Sequence, residues 1–204
     1  GGSGKLLGRM SKQLFDFEVI VVGGGHAGCE AALVSARMGV KTLLVSSERT
    51  ALAQMPCNPS IGGLAKSHLV YEMDAMGGEM GFNTDCCGLQ FKTLNASRGP
   101  AVRATRAQAD KRRYANRMRR VIEATENLTL LEDLVTGVVI DQAAATIQGI
   151  RTARNGEIHA RAVVLTTGTA LEGIIYIGKE MIESGGDGRS AAKELAESRR
   201  TRLY

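Results

Sequence analysis

The chain has 204 residues, 44% of them hydrophobic, enough for one sizeable core, and no apolar run long enough to span a membrane as a helix. Gly is abundant (25 residues) and aromatics are few, which favours an α/β protein with tight strand-to-helix turns over an aromatic-rich β-sandwich. The net charge of +5 is concentrated in residues 98–120, where nine basic residues face one acid, Asp110; this stretch is either a phosphate-attracting patch or a solvated helix face.

Residues 1–13 read as a linker-like leader outside the fold, with no apolar core of the kind an export signal carries. Residues 17–22 predict a buried parallel strand, residues 26–38 an Ala-rich helix stopped by Gly39, and residues 40–45 a second strand. Ser60 is placed to cap a helix over 61–76, ended by Gly77 and Gly78, and a further helix is expected over 106–123. Strands follow at 128–131, 135–140 and 147–152. Asn155 and Gly156 signal a hairpin into 157–160, and residues 162–165 form another buried strand closed by Thr166, Thr167 and Gly168.

Within this order, Gly23, Gly25 and Gly28 occupy the three glycine positions of a dinucleotide-binding fingerprint. The full turn is Gly23, Gly24, Gly25, His26, Ala27 and Gly28. The first glycine permits the turn, the second lets a pyrophosphate approach, and the third lets the helix pack closely. His26 stands where its ring can bond a cofactor. The acid expected on a ribose is replaced by Ser46 and Ser47, with Glu48 a step late. The strand ending at Thr166–Gly168, after a β-meander, favours FAD over NAD.

Four cysteines in a chain without an export signal point to reduced thiols and a cytoplasmic setting. Cys57 lies between Pro56 and Pro59, just before the expected helix N-terminus, where a dipole favours thiolate; Lys66 adds positive charge. A nucleophile and a small buried hydrophobe are equally good readings of it. Cys29, Cys86 and Cys87 read as packing residues. His68 and His159 show no ligand spacing, and no metal site is expected.

Three blocks carry a resemblance: residues 23–32, residues 57–63 (Cys-Asn-Pro-Ser-Ile-Gly-Gly), and residues 94–110 (Leu-Asn-Ala-Ser-Arg-Gly-Pro-Ala-Val-Arg-Ala-Thr-Arg-Ala-Gln-Ala-Asp). Together they resemble the N-terminal, FAD-binding portion of the tRNA uridine 5-carboxymethylaminomethyl modification enzyme (MnmG, GidA) family. The resemblance implies a Rossmann-like FAD-binding domain over 14–198: a parallel sheet with helices on both faces and a small β-meander, incomplete at its C-terminal end. Residues 199–204 form a tail unlike the family. It further implies FAD as cofactor, NADH and methylenetetrahydrofolate as co-substrates, tRNA and a GTPase of the MnmE family as partners, and a homodimer. Residues 23–28 match the pyrophosphate turn, Val135 the backbone contact to adenine, Ser190 a flavin contact, and Cys57 a catalytic cysteine. Arg103 and Arg106 would face flavin, folate or tRNA phosphate. Family members are far longer, so a fragment inactive on its own is expected. The alternatives are a generic flavin-dependent oxidoreductase and a non-catalytic nucleotide-binding fragment.

Overall fold

A computed structural model describes residues 15–55, 59–168, 174–177, 180–183 and 195. Its centre is a six-stranded sheet in which parallel strands run beside a meander. The β-branched run Phe17–Val22 forms β1, and helix α1 (His26–Arg37) returns the chain to β2 (Thr42–Ser46). Strand β1 pairs in parallel with β2, Val19 opposite Thr42 through Val22 opposite Val45. Helix α1 stops where Gly39 takes a left-handed φ of 82°, a conformation glycine adopts without a Cβ penalty.

The chain then leaves for a second layer, an antiparallel sheet ordered β3–β5–β4. Its strands are β3 (Ser60–Gly62), β4 (Gly88–Leu94) and β5 (Ala104–Ala109). Between β3 and β4 lie α2 (Ser67–Ala75) and α3 (Glu79–Cys87). Helix α4 (Lys111–Ala124) carries the chain back, capped by Asp110, whose carboxylate accepts from the Arg112 and Arg113 N–H groups at 2.9 and 3.0 Å.

Strands β6 (Leu128–Glu132), β7 (Val135–Asp141), β8 (Thr146–Thr152) and β9 (Gly156–Leu165) complete the central sheet, ordered β6–β2–β1–β9–β8–β7. The two strands expected at 157–160 and 162–165 are one. The first half of β9 pairs antiparallel with β8 up to His159, and from Ala160 onward β9 runs parallel to β1. A last antiparallel pair joins β10 (Ile174–Ile177) to β11 (Glu180–Glu183).

Because side chains alternate across a strand, the parallel sheet has two buried faces. Val21 and Leu44 pack with Cys29 and Leu33 of α1 and with Tyr114, Met118 and Ile122 of α4. Ile20, Val22, Leu43 and Val45 pack on the other face with Val135, Val138 and Ile150 of the meander and the helical residue Leu195. The expected Rossmann-like architecture with its meander is therefore present.

Two expected helices are corrected. Residues 60–62 and 104–109 are strands, so Ser60 caps nothing; α2 begins at Ser67 and α4 only at Lys111. Pairing decides the outcome: Ser60, Ile61 and Gly62 face Gln108, Ala107 and Arg106 across one ladder. Helix α3, which no periodicity announced, fills the gap after Gly78.

Candidate nucleotide site

The glycine turn is assembled by contacts that crowd out a side chain at three positions and leave one position open. Gly23 has a φ of +110°. Its N–H donates to Val45 O at 2.8 Å, and a Cβ there would strike the Thr166 carbonyl. Thr166, at the end of β9, is fastened beneath the turn: its N–H donates to Val22 O at 2.9 Å, and its hydroxyl lies 2.9 Å from Val22 O and 3.1 Å from Gly23 O. A Cβ on Gly28 would run into the Gly23 carbonyl oxygen, so the third glycine is required by the turn itself. A Cβ on Gly24 would lie 2.6 Å from Leu52 and 2.7 Å from the Ser46 hydroxyl. Around Gly25, by contrast, no protein atom lies within 4 Å of a Cβ position.

That open space faces the start of α1. No side chain caps this N-terminus, so its first N–H groups and the positive end of its dipole are available to an anion. His26 stands edge-on to Tyr114, ring centroids 5.7 Å apart, and its Nδ1 is buried without a hydrogen-bond partner. Burial lowers the His26 pKa and keeps the ring neutral. An open glycine face, unspent donors and an orphaned ring nitrogen together fit the diphosphate bridge of a dinucleotide.

On the β2 side, Ser46 is buried and its hydroxyl donates to Glu48 O at 2.9 Å, while its carbonyl accepts from Asp133 N–H at 3.0 Å. Glu48 is exposed just past the strand end, beside the Thr50 hydroxyl at 3.5 Å. Val135 opens β7 and packs with Val22 and Val45, so the residue matched to adenine shares a cluster with the ends of β1 and β2.

Asp133, which sequence reading passed over, fixes this corner. Its buried carboxylate accepts from Leu134 N–H at 2.8 Å and from Asn155 Nδ2 at 2.7 Å, with the Arg154 and Asn155 N–H groups at 3.2 Å. Burial alone would raise its pKa; the bonds from Asn155, Thr152, Leu134 and Arg154 outweigh that and hold it below the ordinary value. The only sequence signal is an acid two residues before Val135, and its partners Arg154 and Asn155 come from a hairpin 21 and 22 residues further along the chain.

Cys57 and Ser190 lie outside the described residues. The element after Cys57 is strand β3, not the expected helix, so no helix dipole there favours a thiolate. Lys66 sits at the start of α2 without a side-chain cap. Arg106 points from β5 toward β3, its guanidinium donating to the Ser60 hydroxyl at 3.2 Å. It lines two clefts: about 320 Å³ with Pro59, Lys92 and Gln108, and about 650 Å³ with Lys66, Met73 and Leu94. Arg103 is exposed beyond the short turn Pro100–Val102. Cys29 is packing: its thiol lies in the core 3.5 Å from Gly24 O, and burial pushes it up to about 12. Cys87 is buried at the end of α3, and Cys86 is partly covered.

Comparisons with known proteins agree with this geometry. The family described as Glucose inhibited division protein A matches over residues 18–203. A tRNA uridine 5-carboxymethylaminomethyl modification enzyme MnmG from Wolinella succinogenes is 50% identical over 186 residues, 91% of this chain and 29% of the relative. Its counterpart from Pelobacter propionicus is 53% identical over 171 residues, 84% of this chain and 27% of the relative. The chain thus spans less than a third of the length of these relatives. The structure of Aquifex aeolicus GidA in its form I crystal superposes with a TM-score of 0.86 at 46% identity, covering 91% of this chain and 30% of that one. A GidA-related protein from Thermus thermophilus (TM-score 0.65, 18% identity, covering 91% of this chain and 68% of that one) shares the fold alone. With a match over residues 18–203 and about half of its residues identical to these relatives, this chain belongs to the glucose inhibited division protein A family.

Proposed function

We propose that this chain is the FAD-binding portion of an enzyme that adds a carboxymethylaminomethyl group at C5 of the wobble uridine in tRNA. The observation that carries the reading is the turn at residues 23–28, closed at Gly23 and Gly28 and open at Gly25, in a chain about half identical to enzymes named for that modification. The α1 N–H groups, Gly25 and His26 hold the pyrophosphate, Val135 meets the adenine through its backbone, and Ser190 contacts the flavin. Bound FAD supplies the redox chemistry, with NADH as reductant and methylenetetrahydrofolate as one-carbon donor.

Cys57 serves as the nucleophile. A thiolate adding to C6 of uridine opens the C5=C6 double bond to an enolate whose C5 attacks the one-carbon unit; loss of the C5 proton then expels the thiolate and restores the double bond. Arg106 and Lys66 line the cleft beside β3, the strand after Cys57, and place positive charge where a folate carboxylate or a tRNA phosphate would lie. The enzyme works in the cytoplasm as a homodimer with a GTPase of the MnmE family, and the 204 residues by themselves are inactive.

Two measurements test this. FAD added to the purified chain is expected to lose its fluorescence and co-elute with the protein; flavin that elutes free contradicts binding by these residues. In a longer relative, the substitution equivalent to Cys57→Ser is expected to abolish wobble-uridine modification while flavin stays bound, and an active variant removes the nucleophile assignment.

A further inference from the structure

The basic residues of α4 are not equivalent. Arg117 is neutralised by the buried carboxylate of Glu79 at 2.6 Å. Lys111, Arg112, Asn116 and Arg119 instead form one stripe at helical spacing, facing Thr50 and Gln54 of the segment after β2 across a pocket of about 380 Å³. The acids around this stripe pair with none of its side chains: the Asp110 carboxylate takes the backbone N–H groups of Arg112 and Arg113, Glu123 lies 3.5 Å from Arg49, and Glu48 accepts from the Thr50 hydroxyl at 3.5 Å. Among the described residues, Lys111, Arg112 and Arg119 have no ion-pair partner. Arg119 donates to Asn116 Oδ1 at 2.9 Å, while its Nε is buried with no partner among the described residues.

We propose that this pocket binds the phosphodiester backbone of RNA, with Lys111, Arg112 and Arg119 as the cationic contacts. The proposal rests on the reading of the chain as part of a tRNA-modifying enzyme, and it places one contact with that substrate away from the uridine chemistry. The pocket's chemistry selects the backbone: it offers charge and neutral polar groups, and its described lining has no aromatic ring on which a base could stack. A membrane surface fits less well, because Met55, the large apolar side chain at the rim, is buried.

The test titrates the whole chain into a fluorescein-labelled single-stranded RNA of about twelve nucleotides and follows anisotropy across a range of salt. Arg112→Gln/Arg119→Gln is expected to weaken binding at least tenfold at low salt, and to flatten the log–log salt dependence by about 1.4, near 0.7 for each lost phosphate contact. Arg113→Gln/Arg120→Gln, elsewhere on the same helix, is expected to change the slope by less than half as much. Equal losses from both pairs mean a diffuse basic face and overturn the proposal. So does no loss, or binding to phosphatidylglycerol vesicles with none to RNA. Should the double variant lose its helical circular dichroism, Arg112→Gln alone, at an exposed position, carries the test with a slope change of about 0.7. FAD uptake separates the two readings. If neither wild type nor variant takes up flavin, flavin binding by these residues falls while the RNA result stands; if both take it up and RNA binding is indifferent to the pocket, only the pocket falls.

Discussion

Single atoms decide what Gly28 and Asp133 are allowed to be. A methyl group on Gly28 meets a backbone carbonyl that cannot swing aside, because the Thr166 hydroxyl and the Val45 carbonyl both hold Gly23. Gly28→Ala is therefore expected to cost about 3 kcal/mol, at the upper end for overpacking, visible as a lower denaturant midpoint. Asp133→Asn places an amide NH2 among N–H donors and is expected to cost about 3 kcal/mol at neutral pH. The native carboxyl titrates below its unfolded value, so its contribution is fully present above the unfolded pKa and is lost as pH falls through the folded one. Urea melts of wild type and variant should accordingly converge in acid. A gap that persists below the folded pKa would place the effect in packing instead.

At the scale of elements, α1, α3 and α4 are clasped by one side chain. Glu79 pairs with Arg37 of α1 and with Arg117 of α4, the latter at 2.6 Å, and its own N–H donates to the Glu30 carboxylate at 3.0 Å. Arg117 also lies 4.7 Å over the Phe82 ring. The carboxylate is buried while both arginines are partly exposed, which moderates the loss on cutting the pairs; Glu79→Gln is expected to cost about 2 kcal/mol. A double-mutant cycle with Arg117→Gln checks it, and a coupling near zero would show that the clasp is only proximity. The same region shows why some elements were legible and others were not. Strands β1, β2 and β6 are β-branched or leucine runs, and α1 has a glycine stop, so local chemistry and tertiary demand agree. Strand β5 alternates buried Ala107 and Ala109 with the exposed Arg106 and Gln108, but alanine favours helix by propensity, and only pairing with β3 and β4 overrides it. Asp110 marks where helix truly starts, later than the basic run suggests. The phosphate turn was readable because each glycine answers a local steric demand. The Asp133 corner was not, because its donors come from another hairpin.

For the molecule as a whole, the arrangement separates folding from ligand approach. The two faces of the parallel sheet are buried without help from a ligand, and the turn is closed by protein atoms at Gly23, Gly24 and Gly28. Gly25 has a φ of −71° and a ψ of −175°, extended values that alanine adopts freely, and nothing in the protein crowds it. Gly25→Ala should therefore leave the melting temperature of the ligand-free chain unchanged while its methyl group occupies the space a pyrophosphate needs. A ligand at a hundred times its dissociation constant stabilises the native state by about 2.7 kcal/mol. For a chain of this size that is a rise of roughly 5–10 °C in melting temperature. Wild type with FAD is expected to show that rise and Gly25→Ala to show none, each measured by differential scanning fluorimetry against the ligand-free protein. If the variant rises as far as wild type, the pyrophosphate does not lie over the turn. If neither rises, these residues hold the turn in shape but do not hold FAD, and the flavin site needs chain beyond the glycine motif to become a binding site.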